Sequence, residues 1–115
     1  MHEASLAGGV LQLVEDTAAR EGFSRLLSLR LEVGQLAGVD LRALRFALEA
    51  LAPGTLLQGA RIDFEEPAGQ AWCMGCSRTV AWLQRGDPCP ACGGFALQAT
   101  GGTELRVLDM QVADD

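Results

Sequence analysis

The sequence predicts an α+β fold in which two helices pack on a small mixed sheet of about three strands, with a four-cysteine module inserted before the last strand. Apolar residues recur at spacings of three and four in two segments, and they alternate with polar residues in others. Four cysteines form two Cys-x-x-Cys pairs in a stretch rich in glycine and turn residues. The 115 residues, 49% of them hydrophobic, suffice for one compact core with a small insert.

The first predicted helix covers residues 5–21. Gly22 follows the last apolar position and is well suited to end the helix. Gly8 and Gly9 weaken its first turns by about 1 kcal/mol each relative to alanine. The helical pattern still dominates, because one face collects five apolar residues: Leu6, Val10, Leu13, Val14 and Ala18.

The segment LLSLRLEVG alternates with period two and predicts a half-buried strand that ends at Gly34. Its inward face is expected to carry Leu27, Leu29, Leu31 and Val33.

The second predicted helix is DLRALRFALEALAPG, which Pro53 and Gly54 end. Its apolar stripe is expected to consist of Leu41, Leu44, Leu48 and Leu51, and Asp40 stands where an N-cap residue belongs. Two further strands are predicted in ARIDFEEP and in TELRVLDMQV, so the order along the chain is helix, strand, helix, strand, insert, strand.

The insert reads WCMGCSRTVAWLQRGDPCPACGG, with Cys73 and Cys76 in one pair and Cys89 and Cys92 in the other. Two such pairs on facing turns bring four thiolates to the corners of a tetrahedron, the geometry of a closed structural zinc site. We therefore predict a zinc-ribbon-like domain with four cysteine ligands, whose folding depends on the metal. A rubredoxin-like Fe(Cys)₄ electron carrier is the alternative, since tetrahedral sulfur sites fit either metal.

Two tryptophans, Trp72 and Trp82, flank the predicted TVAWL strand of the insert. We expect them to cover the metal site, and a docking surface for a partner is the alternative.

The sequence begins Met1-His2-Glu3, and His2 is its single histidine. The α-amine, the His2 amide nitrogen and an imidazole nitrogen can close two fused chelate rings on one cation, and Glu3 can add a fourth donor. Nitrogen-rich, nearly coplanar ligands suit Ni²⁺ or Cu²⁺ better than Mg²⁺ or Ca²⁺. The amine, with a reference pKa of about 7.7–8.0, must lose its proton first, so binding is expected to weaken as the pH falls. An exposed terminus without a metal is the alternative.

The composition excludes several classes of function. The formal net charge is −6 and no basic patch is present, which disfavours nucleic-acid binding. No stretch approaches the ~20 apolar residues of a membrane span, and no secretory signal is visible, so we expect a cytoplasmic protein. A single histidine at the chain start leaves no nucleophile–base pair, and no phosphate-binding loop is present, so we do not expect an enzyme.

The MHE start, the helix–strand–helix order and the CxxC-x₁₂-CxxC insert together resemble the HypA/HybF family of accessory factors in [NiFe]-hydrogenase maturation. The resemblance spans nearly the whole chain and includes EVGQLAGVD, the QAWC entry to the insert and the closing TELRVLDMQV strand. It implies that Met1, His2, Glu3 and Asp40 hold nickel and that the four cysteines hold zinc. Capping alone also explains Asp40, and the two roles are compatible because a carboxylate has two oxygens.

The resemblance further implies a nickel metallochaperone that works with a HypB-type GTPase and presents Ni(II) to the hydrogenase large subunit. We expect residues 1–70 plus 101–115 to form a nickel-binding α/β domain and residues 71–100 a zinc-binding domain. The sequence leaves the oligomeric state open between a monomer and a homodimer. The competing hypothesis is a zinc-ribbon module that binds protein or nucleic acid.

Overall fold

The computed structural model describes residues 2–113 and contains two helices and six strands in that part of the chain. The elements are α1 (Glu3–Glu21), β1 (Leu26–Val33), α2 (Leu41–Leu51), β2 (Arg61–Glu65), β3 (Gln70–Cys73), β4 (Arg78–Ala81), β5 (Leu97–Gly101) and β6 (Leu105–Val112). They form two three-stranded sheets, with strand orders β2-β1-β6 and β4-β3-β5. The predicted α+β class is confirmed.

The chain divides into two compact units. The first comprises the described residues of Met1–Leu31, Val39–Asp63 and Val107–Asp115, and the second comprises Glu32–Gly38 and Phe64–Arg106. The predicted insert, residues 71–100, lies within the second unit, which also takes in residues before and after it. The domain boundaries predicted from the sequence stay a prediction.

The first unit buries one stripe of α1 together with Leu44 and Leu48 of α2, and the two helices pack against each other. The predicted α2 stripe is therefore too long, because Leu41 is only half-buried and Leu51 is exposed. Gly22 ends α1 in the left-handed conformation, as predicted. The buried stripe of α1 differs from the prediction, since Leu13 is exposed and the stripe starts earlier in the chain. Its members are Glu3, Ala7, Val10, Val14 and Ala18.

Strand β1 follows the predicted alternation only from Leu29 onward, where Leu29, Leu31 and Val33 are buried. At its beginning the phase shifts by one residue, so Leu26 is buried and Leu27 is exposed. The predicted inward position of Leu27 is therefore wrong. Strict period-two alternation assumes a regular strand, and the beginning of β1 departs from it.

The second unit is built on β3, which pairs antiparallel with β4 on one side and with β5 on the other. The predicted TVAWL strand corresponds to β4, whereas β3 and β5 were not predicted as strands. Each is only four or five residues long, so alternation within it is a weak signal in the sequence.

Candidate metal centres

The four cysteines of the second unit converge on one point. Cys73 lies at the end of β3, Cys76 follows in the turn to β4, and Cys89 and Cys92 lie between β4 and β5. The Sγ atoms of Cys73 and Cys92 are 3.7 Å apart and those of Cys76 and Cys89 are 3.8 Å apart. All four sulfur atoms lie within 4.8 Å of one another, and all four cysteines are free thiols.

These separations fit a metal ion with four sulfur ligands. A tetrahedron whose metal–sulfur bonds are about 2.3 Å long has sulfur–sulfur edges of about 3.8 Å. A disulfide requires about 2.05 Å between the two sulfur atoms, which neither of the two close pairs approaches. The cluster is therefore a candidate metal centre, and its geometry suits zinc and iron equally.

Backbone amides around the cluster donate to sulfur. The N–H groups of Cys76, Ala91 and Gly94 lie 3.4 Å from the Sγ atoms of Cys73, Cys89 and Cys92, respectively. Such donors favour thiolates over thiols, and thiolates are the forms that ligate metals. The turn that carries the second pair is closed by a 2.8 Å hydrogen bond from the Gly93 N–H to the Cys89 carbonyl.

The thiols of the cluster cannot all ionise without a cation. Backbone N–H groups of Cys92 and Ala91 lower the pKa of Cys89 to about 6. The neighbouring sulfur of Cys92, together with burial, raises the pKa of Cys76 to about 12. Four negative charges within 4.8 Å repel one another strongly, so the full set of thiolates needs a bound cation to balance them.

The packing around the cluster differs from the prediction in one respect. Cys73 and Cys89 are buried with Val80, and Leu97 packs against them. Trp82 instead belongs to a separate cluster with Leu36 and Ala71, and its Nε1–H donates to the Asp87 carbonyl at 3.0 Å.

Trp72 is 42% exposed. The expectation that both tryptophans cover the metal site is therefore wrong, because the aliphatic residues Val80 and Leu97 take that place.

The predicted nickel ligands lie at the start of α1. Met1 is outside the described residues. His2 is the N-cap residue of α1, is exposed, and makes no capping hydrogen bond with its side chain. The His2 carbonyl accepts the Leu6 N–H at 2.9 Å and so takes part in the first hydrogen bond of the helix. The backbone N–H of His2, like the other N–H groups at a helix start, has no acceptor within the helix. The His2 imidazole can thus turn toward a cation without breaking a helical hydrogen bond.

Glu3 and Asp40 are brought together by the fold of the first unit. Oε2 of Glu3 accepts the backbone N–H of Asp40 at 3.1 Å, and the Glu3 side chain is buried. The positive α-amino group and the Asp40 N–H lower the pKa of the Glu3 carboxyl to about 2. Glu3 is consequently ionised over the whole physiological range.

Asp40 caps α2 as predicted. Its Oδ1 accepts the N–H groups of Arg42 and Ala43 at 3.0 and 3.2 Å. Glu3 has a corresponding role that was not predicted from the sequence: it ties the start of α1 to the start of α2. The available signal was the spacing of Glu3, Ala7 and Val10, which extends the apolar stripe back to the third residue.

The comparison with known families gives a match over residues 1–112. The matching family is described as "Hydrogenase/urease nickel incorporation, metallochaperone, hypA". The chain belongs to the HypA family. The resemblance that the sequence motifs indicated is thereby confirmed, and membership places the chain among the nickel-incorporation metallochaperones of hydrogenase maturation.

Curated relatives and solved structures agree with this assignment. The chain is 71% identical to the hydrogenase maturation factor HypA of Polaromonas naphthalenivorans over the full length of both proteins. It is 64% identical to that of Cupriavidus necator over 99% of this chain and 96% of the relative. The solution structure of the Ni metallochaperone HypA from Helicobacter pylori shares the fold, with a TM-score of 0.69 at 20% identity and full coverage of both chains.

Neither helix in the described part of this HypA-family chain has the length and apolar character of a membrane span.

Proposed function

We propose that this HypA-family protein binds Ni(II) at its N-terminal segment and delivers it for [NiFe]-hydrogenase maturation, while a structural Zn(Cys)₄ site holds the second unit together. The observation that carries the proposal is the arrangement at the helix starts. An exposed imidazole at His2 lies next to a buried carboxylate at Glu3, which is fixed by the backbone of Asp40.

In this arrangement the nickel ligands would be the Met1 amine, the amide and imidazole of His2, and Glu3 as a fourth donor through its amide or its carboxylate. Helix N-termini carry partial positive charge and disfavour a cation. The carboxylates of Glu3 and Asp40 offset that effect, since each lies at the start of a helix. The involvement of Asp40 is part of the proposal, with its second carboxylate oxygen available beside the capping one.

Release of the cargo follows from the exposure of His2. A chelate at the chain start leaves coordination positions open, so the ligands of an acceptor can replace its donors one at a time. Protonation of the α-amine removes one of the donors, so binding weakens as the pH falls. We propose that a HypB-type GTPase and the hydrogenase large subunit are the partners and that the protein acts in the cytoplasm.

For the second unit, we propose zinc held by Cys73, Cys76, Cys89 and Cys92. All ligands are thiolates, so no position remains for water or substrate, and the metal would serve structure rather than chemistry. An absorption spectrum tests the choice of metal, because an Fe(Cys)₄ centre is red and a zinc centre is colourless.

The deciding experiment is Ni²⁺ titration calorimetry on untagged protein that begins at Met1. It compares the native chain with His2→Ala and with a variant carrying extra residues before Met1; the same residues added after Asp115 provide the matched control. We expect about one equivalent bound by the native and C-terminally extended chains and loss of binding in the other two. Equal binding by all four proteins would overturn the N-terminal site.

A further inference from the structure

The four cysteines of the metal cluster differ in their access to solvent. Cys73 and Cys89 are buried, Cys76 is half-buried and Cys92 is exposed. The oxidation of cysteine follows thiolate character and exposure, and all four residues are thiolates when they hold a metal. An oxidant in solution therefore reaches Cys92 before the other three.

Two glycines leave the Cys92 sulfur uncovered. A Cβ at Gly94 would lie 3.3 Å from the Cys92 Sγ atom, and a Cβ at Gly75 would lie 3.6 Å from it. Among the described residues, chain neighbours excepted, the Gly94 position meets no other atom within 4 Å. The Gly75 position additionally meets only the Cys73 Sγ atom, at 3.8 Å. A small molecule can therefore approach the Cys92 sulfur from the side of either glycine.

A buried sulfur lies next to the exposed one. The Sγ atoms of Cys73 and Cys92 are 3.7 Å apart, so they must approach by about 1.7 Å to reach the length of a disulfide bond. Cys92 is followed by Gly93 and Gly94, and Gly93 has a φ of 74°. The conformational freedom of glycine lets this turn move by such a distance.

We propose that Cys92 is a site of oxidation by hydrogen peroxide and that Cys73 is its disulfide partner. The Cys92 thiolate attacks one peroxide oxygen, the O–O bond breaks, and the products are a sulfenic acid and hydroxide. The Cys73 thiolate then attacks the Cys92 sulfur and displaces a second hydroxide, which leaves a disulfide. Two thiolates thus lose two electrons, one peroxide molecule accepts them, and both hydroxides take up protons to become water.

The oxidation also acts on the metal site. Thiolates ligate metals, and the sulfur atoms of a disulfide are no longer thiolates. The disulfide leaves only Cys76 and Cys89 as ligands, which is too few for a structural site with four, so the metal is released. A dithiol reductant returns Cys73 and Cys92 to thiolates by exchange, and the site can fill again. Metal release rests on the proposed zinc site, whereas the oxidation and pairing of the two cysteines do not.

Peroxide treatment of the full-length, metal-loaded chain tests the proposal. Elemental analysis first gives the zinc content, and a chromogenic chelator then measures the zinc released by an equimolar amount of hydrogen peroxide. Trypsin cleaves after Arg78 and Arg85, between the two cysteine pairs, so only a disulfide across the pairs joins two peptides. Tandem mass spectrometry assigns the cysteines. We expect Cys73–Cys92 as the first disulfide, together with zinc release that dithiothreitol and added zinc reverse.

Gly75→Ala tests the access route and keeps all four ligands. Its methyl group would lie in ordinary contact with the Cys92 sulfur, so we expect oxidation to be slower by roughly threefold or more. Gly9→Ala is the matched control, because a Cβ there meets nothing within 4 Å, and it should be oxidised at the wild-type rate. Tryptophan fluorescence checks that the Gly75 variant is folded. If it is not, the order of disulfides in wild type decides.

Several results would overturn the proposal. They are the absence of any disulfide, a first disulfide within either Cys-x-x-Cys pair, and formation of Cys76–Cys89 before Cys73–Cys92. Equal oxidation rates of a folded Gly75→Ala and wild type would refute the access route. Zinc retained by protein that carries the Cys73–Cys92 disulfide would refute the release step. Protein that holds no zinc before treatment would instead contradict the proposed zinc site, and the disulfide map would still decide the pairing.

Discussion

The Glu3 carboxylate accepts the backbone N–H of Asp40 at 3.1 Å, while the Asp40 carboxylate caps the helix that follows it. The two acidic residues thus hold the starts of α1 and α2 together, 37 residues apart in the sequence. The same two residues are among the proposed nickel ligands, so each is assigned one role in the fold and another in the metal site.

Substitution at Asp40 can separate these two effects. Asp40→Ala removes the acceptor for the Arg42 and Ala43 N–H groups and is expected to destabilise the protein by about 1 kcal/mol. Asp40→Asn keeps a capping oxygen but loses the charge, so stability should remain near that of wild type. Urea unfolding followed by circular dichroism measures the stability, and nickel titration measures the binding.

If Asp40 serves only as a cap, the Asn variant binds nickel like wild type. If it is also a ligand, the Asn variant binds more weakly at unchanged stability. Equal stability of the Ala variant and wild type would contradict the capping role.

The low pKa of Glu3 predicts a pH dependence of stability. Its pKa in the folded protein is about 2, below the ordinary 4.5, so its charged form is stabilised by folding. This contribution is fully present above about pH 4.5 and is lost as the pH falls toward 2. We expect Glu3→Gln to show a smaller fall of the thermal midpoint between pH 5 and pH 2.5 than wild type.

Glu15→Gln, at an exposed position of the same helix, is the matched control for the loss of one negative charge. It should follow the wild-type pH profile. Parallel profiles for Glu3→Gln and wild type would show that Glu3 is not the titrating group.

Removal of the cysteine-bound metal should unfold the second unit and leave the helices of the first. Both tryptophans of the chain lie in the second unit, so their fluorescence reports on that unit alone. Trp82 is buried, and its exposure should shift the emission to longer wavelength when a chelator extracts the metal. Helical circular dichroism should be largely retained, because α1 and α2 belong to the first unit.

Restoring the metal should reverse the fluorescence shift. An unchanged emission spectrum from protein that elemental analysis finds free of metal would contradict a folding role for the site.

Substitution of alanine for glycine should have opposite effects on stability at Gly34 and at Gly8. A Cβ at Gly34 would overlap the backbone of Gly102, so Gly34→Ala should destabilise the second unit by about 1–3 kcal/mol. A Cβ at Gly8 meets nothing within 4 Å, and Gly8→Ala should stabilise α1 by about 1 kcal/mol.

Tryptophan fluorescence during urea unfolding measures the Gly34 variant, and circular dichroism measures the Gly8 variant. A Gly34→Ala protein as stable as wild type would show that the backbones of Gly34 and Gly102 can separate without cost.

The sequence by itself determined the order of the main elements, the cap at Asp40 and the grouping of the four cysteines. These features depend on residues close together in the sequence or on a recurring spacing of cysteines. Both kinds of pattern can be recognised in a single sequence. The sequence did not predict β3 and β5, because strands of four and five residues are too short for a clear period-two pattern.

Only the tertiary structure decided which contacts individual side chains make and which of them stay exposed to solvent. It placed the Glu3 carboxylate on the Asp40 amide, Trp82 on Leu36 and Ala71 rather than on the cysteines, and Phe46 in solvent. Each outcome depends on residues far apart in the chain, and the periodicity of a helix or strand carries no information about which distant element its face will meet. For this reason the residues proposed as metal ligands could be named from the sequence, whereas the contacts that hold Glu3 and the exposure of Phe46 required the fold.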